Sequence, residues 1–162
     1  MSNSTPSVRT ATTDDIPILV RLNTGLFAED SGVRDQFASA RWPGREDYFV
    51  ELIADGKRNV VWMGLLDEHP VGYLVCRLND PIDIRPVTSA ILESMYVEPG
   101  SRGCGVGATL VRRFLRWASD HHAGRAAVNA YTENDRAIRF YRHLGFRPKT
   151  VTLDQALSPT KP

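Results

Sequence analysis

The run Leu92-Glu93-Ser94-Met95-Tyr96-Val97-Glu98-Pro99-Gly100-Ser101-Arg102-Gly103-Cys104-Gly105-Val106-Gly107-Ala108 passes from strand to loop to helix without interruption. Its first part closes an apolar, β-type run over 87–97, and Glu98-Pro99-Gly100 turns the chain. Glycines then leave backbone amides unobstructed at a helix start, where unpaired N–H groups and the positive end of the helix dipole favour an anion. A diphosphate suits such a loop. Glycines alone are weak evidence, because an empty strand-to-helix turn reads the same way.

Context narrows the choice. A dinucleotide fold shows its glycine loop after the first strand of a βαβ unit, with an acidic residue about 20 residues on. Here the loop follows a hairpin and a third strand. Gly105-Val106-Gly107 is not followed by Lys and Ser/Thr, so the phosphate-loop pattern of nucleotide hydrolases is absent as well.

Outward from the loop, the helix after it is amphipathic. Val106, Leu110, Phe114, Trp117 and His121 form one stripe, while Arg112, Arg113 and Arg116 point away as a solvated face. Upstream, residues 8–12 read as a strand, Thr13-Asp14-Asp15 as a helix start, and Ile16, Leu19, Val20, Leu22, Leu26 and Phe27 as the helix. Residues 28–45 carry no period; a second helix follows over 46–54. The runs 59–66 and 71–78 form a hairpin around Asp67-Glu68-His69-Pro70 and continue as a meander into 87–97. Downstream come a strand over 125–131, a helix over 133–144 capped by Gly145, and a further strand over 147–153.

Bulk properties fit this order. The 162 residues are 42% hydrophobic and 24% charged, which excludes a disordered or collagen-like chain and suits one domain over 1–162, its core at 8–153 and both termini flexible. A net charge of +1 with mixed signs announces neither nucleic acid nor an anionic membrane as partner. No apolar run is long enough to span a bilayer. Two cysteines make no disulfide framework, and the first residues lack the pattern of a secretory signal, so a cytoplasmic location is expected. His69, His121 and His122 lack ligand spacing, so no metal is expected.

Leu92 to Pro99 followed by Arg102-x-x-Gly105-x-Gly107 resembles the acetyl-coenzyme A signature of the GCN5-related N-acetyltransferases. Asn134-x-x-Ala137-x-x-Phe140-Tyr141-x-x-x-Gly145-Phe146 is similar to the second signature of that family. The resemblance implies an α/β fold with a mixed, mostly antiparallel sheet flanked by helices, splayed where acetyl-CoA enters. It implies direct attack of an amine on the thioester. Met95, Tyr96 and Val97 would then meet the pantetheine arm and the thioester oxygen, Arg102 and residues 103–108 the diphosphate, and Asn134 the coenzyme. Tyr141 would protonate the leaving thiolate, although helix packing or an N-cap explains Tyr141 and Asn134 equally without the motif.

The base is less determined. Strand alternation places Ile91, Glu93, Met95 and Val97 on one face, making Glu93 a carboxylate among apolar neighbours. Desolvation would raise its proton affinity towards that of a general base, and it resembles a glutamate of antibiotic-modifying members. An ion pair with an arginine, or proton loss through water, are the alternatives. Ribosomal-protein-acetylating members carry a glutamate where this chain has Asn129, which shifts weight to a small-molecule amine such as an antibiotic, a polyamine or an amino-acid derivative. Protein N-terminal or lysine acetylation and a non-catalytic acyl-CoA sensor are the competing readings. Asp30, Asp35, Trp42, Asp80 and Asp83 lie where this fold shapes its acceptor pocket; a homodimer is allowed by the sequence but required by no pattern in it.

Overall fold

The computed structural model describes residues 4–157, and the chain divides into two compact units between Asn129 and Ala130. The flexible ends expected from the sequence fall in part on residues 1–3 and 158–162, outside the described residues.

The first unit is a five-stranded sheet in sequential order, β1 (Pro6–Thr10), β2 (Asn59–Leu66), β3 (His69–Asn79), β4 (Ser89–Val97) and β5 (Arg125–Val128). Strands β1 to β4 pair antiparallel, and β5 joins β4 in parallel after the chain crosses over through a helix. The β2–β3 connection is a two-residue turn in which Asp67 and Glu68 both take positive φ, the geometry whose twist matches a hairpin.

Helices α1 (Ile16–Asp30) and α2 (Arg45–Asp55) cover one face, and α3 (Val106–Asp120) covers the other. On the first face Leu19, Leu22, Phe49 and Leu52 meet Val61, Met63, Tyr73 and Val75. On the second, Val106 and Leu110 lie so close to Gly64 that a Cβ there would sit 2.7 Å from Val106 Cγ1. Trp117 meets Trp62 edge to face, with ring centroids 5.9 Å apart. Fully burying rings such as Phe114 and Trp62 stabilises the fold by about 2–3 kcal/mol each. The start of α1 is held by Asp15, which accepts from the Thr12 amide at 2.8 Å and from both terminal nitrogens of Arg9 at 2.7 Å.

The second unit, described over 130–157, contains α4 (Asp135–His143). Gly145, at φ 93°, ends it as expected: the Phe146 amide donates to Tyr141 O and the Gly145 amide to Arg142 O, both at 3.1 Å. The strand expected over 147–153 does not form. Pro148 has no amide to donate, and Val151 and Leu153 are 68% and 91% exposed, so their β-type pattern buries nothing. Strand β5 also stops at Val128 rather than at residue 131.

Candidate active site

The glycine loop leaves β4 through a 3-10 turn at Pro99–Ser101 and enters α3 at Val106. Gly103 and Gly105 take φ of 83° and 86°, a region costly to any residue with a Cβ. The first helical bond after the loop runs from the Thr109 amide to Gly105 O at 3.0 Å. Among the described residues, the amides of 103–108 find no protein acceptor. They are free donors at the positive end of a 15-residue helix. Gly103, Cys104 and Gly105 are exposed, so nothing overlies them within this unit.

Arg102 anchors the loop to α1. Its Nε donates to Val97 O at 2.7 Å, its Nη2 reaches Glu29 Oε1 at 2.5 Å, and its guanidinium lies 5.2 Å from the Tyr96 ring centre. Tyr96 rests on α1 at Gly25, where a Cβ would stand 2.8 Å from its hydroxyl. Burial, then the Glu29 charge, pushes the Tyr96 phenol up. A cleft of about 400 Å³ opens between Arg21, Gly25, Tyr96 and the 98–101 turn. The Arg102 side chain is thus occupied by protein groups at the base of the loop.

Strand β4 departs from regular alternation. Its register pairs Leu92 with Cys76 and Ser94 with Val75, which leaves Glu93 as an extra, unpaired residue in a bulge. Alternation read from sequence assumed no such insertion, and the shared face of Ile91, Glu93, Met95 and Val97 is corrected accordingly. Ile91 shares a face with Arg77, whereas Met95 and Val97 lie in register with Leu74 and Gly72, on the α3 side. Glu93 is exposed, not surrounded by apolar groups, and stands 3.8 Å from Arg77 Nη1.

The ladder between β4 and β5 ends at Leu92 and Val128. Beyond it, among the described residues, no strand pairs with that edge of 93–97, so its backbone groups are open beside the glycine loop except Val97 O, which accepts from Arg102.

Under the bulge lies a polar chain that the sequence reading did not find. Arg45 is only 7% exposed; its Nε donates to Asn23 Oδ1 at 2.7 Å, and Asn23 Nδ2 donates to the Tyr73 hydroxyl at 2.8 Å. The Tyr73 phenol is pushed up to about 12 by burial, with Ser94 beside it. Ser94 Oγ makes no well-formed hydrogen bond and is buried without a partner among the described residues. Around Arg45, Phe27, Trp42, Tyr48, Phe49 and Tyr73 form a continuous aromatic row with centroid spacings of 4.9 to 6.0 Å. Burial and then the Glu93 charge push the Tyr48 phenol far up. Asn23 in the apolar stripe of α1 was the available signal, a polar residue at a core position.

The acidic residues singled out from sequence are largely engaged. Asp30 is paired with Arg34 at 2.7 Å and Asp80 with Arg58 at 2.8 Å, and Asp35 accepts from the Phe37 amide at 2.9 Å. Asp83 is exposed.

In the second unit, Asn134 caps α4, its Oδ1 accepting from the Ala137 amide at 3.1 Å. Tyr141 is 9% exposed, with Phe140 and Phe146 rings 5.2 and 5.7 Å away. Burial raises its phenol strongly, so the hydroxyl keeps its proton throughout the neutral range.

Residues 30–146 match the acetyltransferase (GNAT) family, and the chain belongs to it. This is a family of acyltransferase enzymes. An uncharacterized N-acetyltransferase of Methanocaldococcus jannaschii is 34% identical over 84 residues, 51% of this chain and 36% of its own length. Peptidyl-lysine N-acetyltransferase YjaB of Escherichia coli is 28% identical over 82 residues, 51% of this chain and 52% of its own. The chain thus spans about a third to a half of these relatives. Aminoglycoside N(6′)-acetyltransferase type 1 of Stenotrophomonas maltophilia is 28% identical over 151 residues, covering 90% of this chain and 89% of its own.

Among solved structures, a Bacillus halodurans protein superposes with a TM-score of 0.85 at 22% identity over 93% of this chain and 99% of its own. Aminoglycoside N-acetyltransferase AAC(6′)-Iy, in complex with CoA, gives 0.75 at 15% identity over 95% of each chain. These likenesses establish the fold, with its mixed and mostly antiparallel sheet. Among the described residues no helix is long and apolar enough to cross a membrane.

Proposed function

We propose that this chain transfers acetyl from acetyl-CoA to the primary amine of a small molecule, by direct attack on the thioester. The observation that carries the reading is the set of free amides at 103–108 beside the unpaired β4 edge at 93–97. That arrangement suits a ligand with an anionic diphosphate followed by a thin arm rich in amides, which coenzyme A supplies.

Each residue then has a task. The amides of 103–108 neutralise the diphosphate, with Arg102 fixing the loop from below. The backbone of Met95, Tyr96 and Val97 pairs with the pantetheine amides and offers an N–H to the thioester oxygen, where negative charge develops. Asn134 adds a polar contact to the coenzyme while capping α4. Tyr141 keeps its proton at neutral pH and delivers it to the departing thiolate. Glu93, solvated and beside Arg77, takes the amine proton directly or through water. The aminoglycoside-modifying relative, matched along most of its length, supports a small-molecule acceptor. Two free cysteines agree with a reducing, cytoplasmic setting.

Thiol release from acetyl-CoA with a panel of small amines and lysine peptides tests the reading. Turnover with at least one small amine, and none with peptides, is expected. Peptide turnover alone would overturn the small-molecule assignment.

A further inference from the structure

Resting on the acetyltransferase reading, the geometry points to the class of acceptor. We propose that it carries a carboxylate near its amine and an aromatic or apolar body, and that Arg45 sets this preference from behind the Phe27, Trp42 and Tyr48 rings.

Three observations converge. The first is charge. Arg45 is buried, yet its partners are all neutral: Asn23 Oδ1 at 2.7 Å, Thr24 Oγ1 at 3.0 Å and Ala40 O at 3.0 Å, with the Phe27 and Trp42 rings 5.6 and 5.5 Å away. A buried cation without a carboxylate is costly unless something anionic approaches it. Glu29, Asp30 and Glu93 are each matched by their own arginine, Arg102, Arg34 and Arg77, while Glu46 and Asp47, next to Arg45 in α2, are exposed to solvent. Arg45 is the buried charge beside the rings, and a cationic group brought up to it would be repelled.

The second observation is hydrogen-bond direction. A guanidinium can only donate. Arg45 therefore fixes Asn23 with its oxygen inward, Asn23 must donate onwards to the Tyr73 oxygen, and the Tyr73 proton is left to face Ser94. Ser94, at the far end of this chain, has a buried hydroxyl that completes no hydrogen bond among the described residues. Each group of the chain is thus turned to stabilise the Arg45 cation without neutralising it, and an anion suits that charge where an ammonium does not.

The third is shape. Phe27, Trp42 and Tyr48 are only half-buried, and Trp42 and Tyr48 stand 4.9 Å apart at a tilt of 52°. Ring faces left to solvent beside Arg45 suit an apolar or aromatic body. Arg45 is a specificity-determining residue on this account, not a proton carrier.

The test compares kcat/KM of the full chain, with acetyl-CoA, for phenylalanine, its decarboxylated counterpart phenethylamine, spermidine and kanamycin. Phenylalanine is expected to exceed phenethylamine by about tenfold or more, with the two polycations below both. Arg45→Gln should erase that ratio mainly through KM, and Arg45→Lys should restore part of it. Polycations equal to or better than phenylalanine would overturn the inference while leaving the acetyltransferase reading intact. So would an unchanged ratio in a folded Arg45→Gln. Should that variant not fold, the wild-type ratio decides alone. No thiol release with any amine, from a protein that binds acetyl-CoA, would remove both readings.

Discussion

Replacing Gly64 with alanine tests how the sheet positions the glycine loop. The new Cβ would lie 2.7 Å from Val106 Cγ1 and 2.9 Å from Leu110 Cδ1, and both side chains are fully buried in the α3 face. Carbon atoms settle at about 3.5–4.0 Å, so the first turn of α3 must retreat by roughly 1 Å. Such overpacking costs about 1–3 kcal/mol, offset by about 0.5–1 kcal/mol because alanine restricts the unfolded chain. A net loss of about 1–2 kcal/mol lowers Tm by about 2–8 °C for a chain of this size. Val106 is the residue at which loop becomes helix, so the amides of 103–108 move with it. CoA affinity should fall by about tenfold, measured by calorimetry, alongside thermal unfolding followed by circular dichroism. Gly100, with no heavy atom within 4 Å of a built Cβ, is the control: Gly100→Ala should leave Tm unchanged. An unaltered Tm and CoA affinity in Gly64→Ala would refute the idea that this contact sets the loop.

Tyr141→Phe should lower kcat by about a hundredfold or more while CoA affinity changes little, as befits a proton donor; equal losses in both would remove that role. Glu93→Gln should abolish the acid limb of the kcat/KM pH profile, and an unchanged profile would assign proton removal to water. Stability should decline at alkaline pH. Tyr48, Tyr73, Tyr141 and Cys76 all have raised folded values against ordinary ones of 10.0 and 9.0, so the unfolded chain loses these protons first. Stability is complete below about pH 9 and falls as pH climbs beyond it, which denaturant titrations at pH 8 and about pH 11 would check.

What the sequence made legible was local. Gly103 and Gly105 signal a backbone only glycine adopts cheaply, Gly145 a helix end, and the stripe from Val106 to Trp117 a buried face; each depends on neighbours within a turn or two. What it hid depends on partners far along the chain. The bulge at Glu93 exists only in relation to β3, because two residues of β3 set which three of β4 they face. The Arg45–Asn23–Tyr73 chain joins α2, α1 and β3, and nothing local in any of these marks the others. Residues 147–153 show the converse, a β-type pattern with no strand to receive it. Helix α1 runs on to Asp30, past the last apolar residue of its stripe, because Ser31 donates its amide to Phe27 O and Arg34 pairs with Asp30.

The most direct measurement is calorimetric titration of the purified chain with CoA, acetyl-CoA and pantetheine, repeated on Gly105→Val. The account has both coenzyme forms binding, pantetheine binding far more weakly because it lacks the diphosphate, and the variant losing most of its affinity for CoA because valine resists a φ of 86°. Binding of pantetheine as tightly as CoA, or no heat with either coenzyme form, would contradict it.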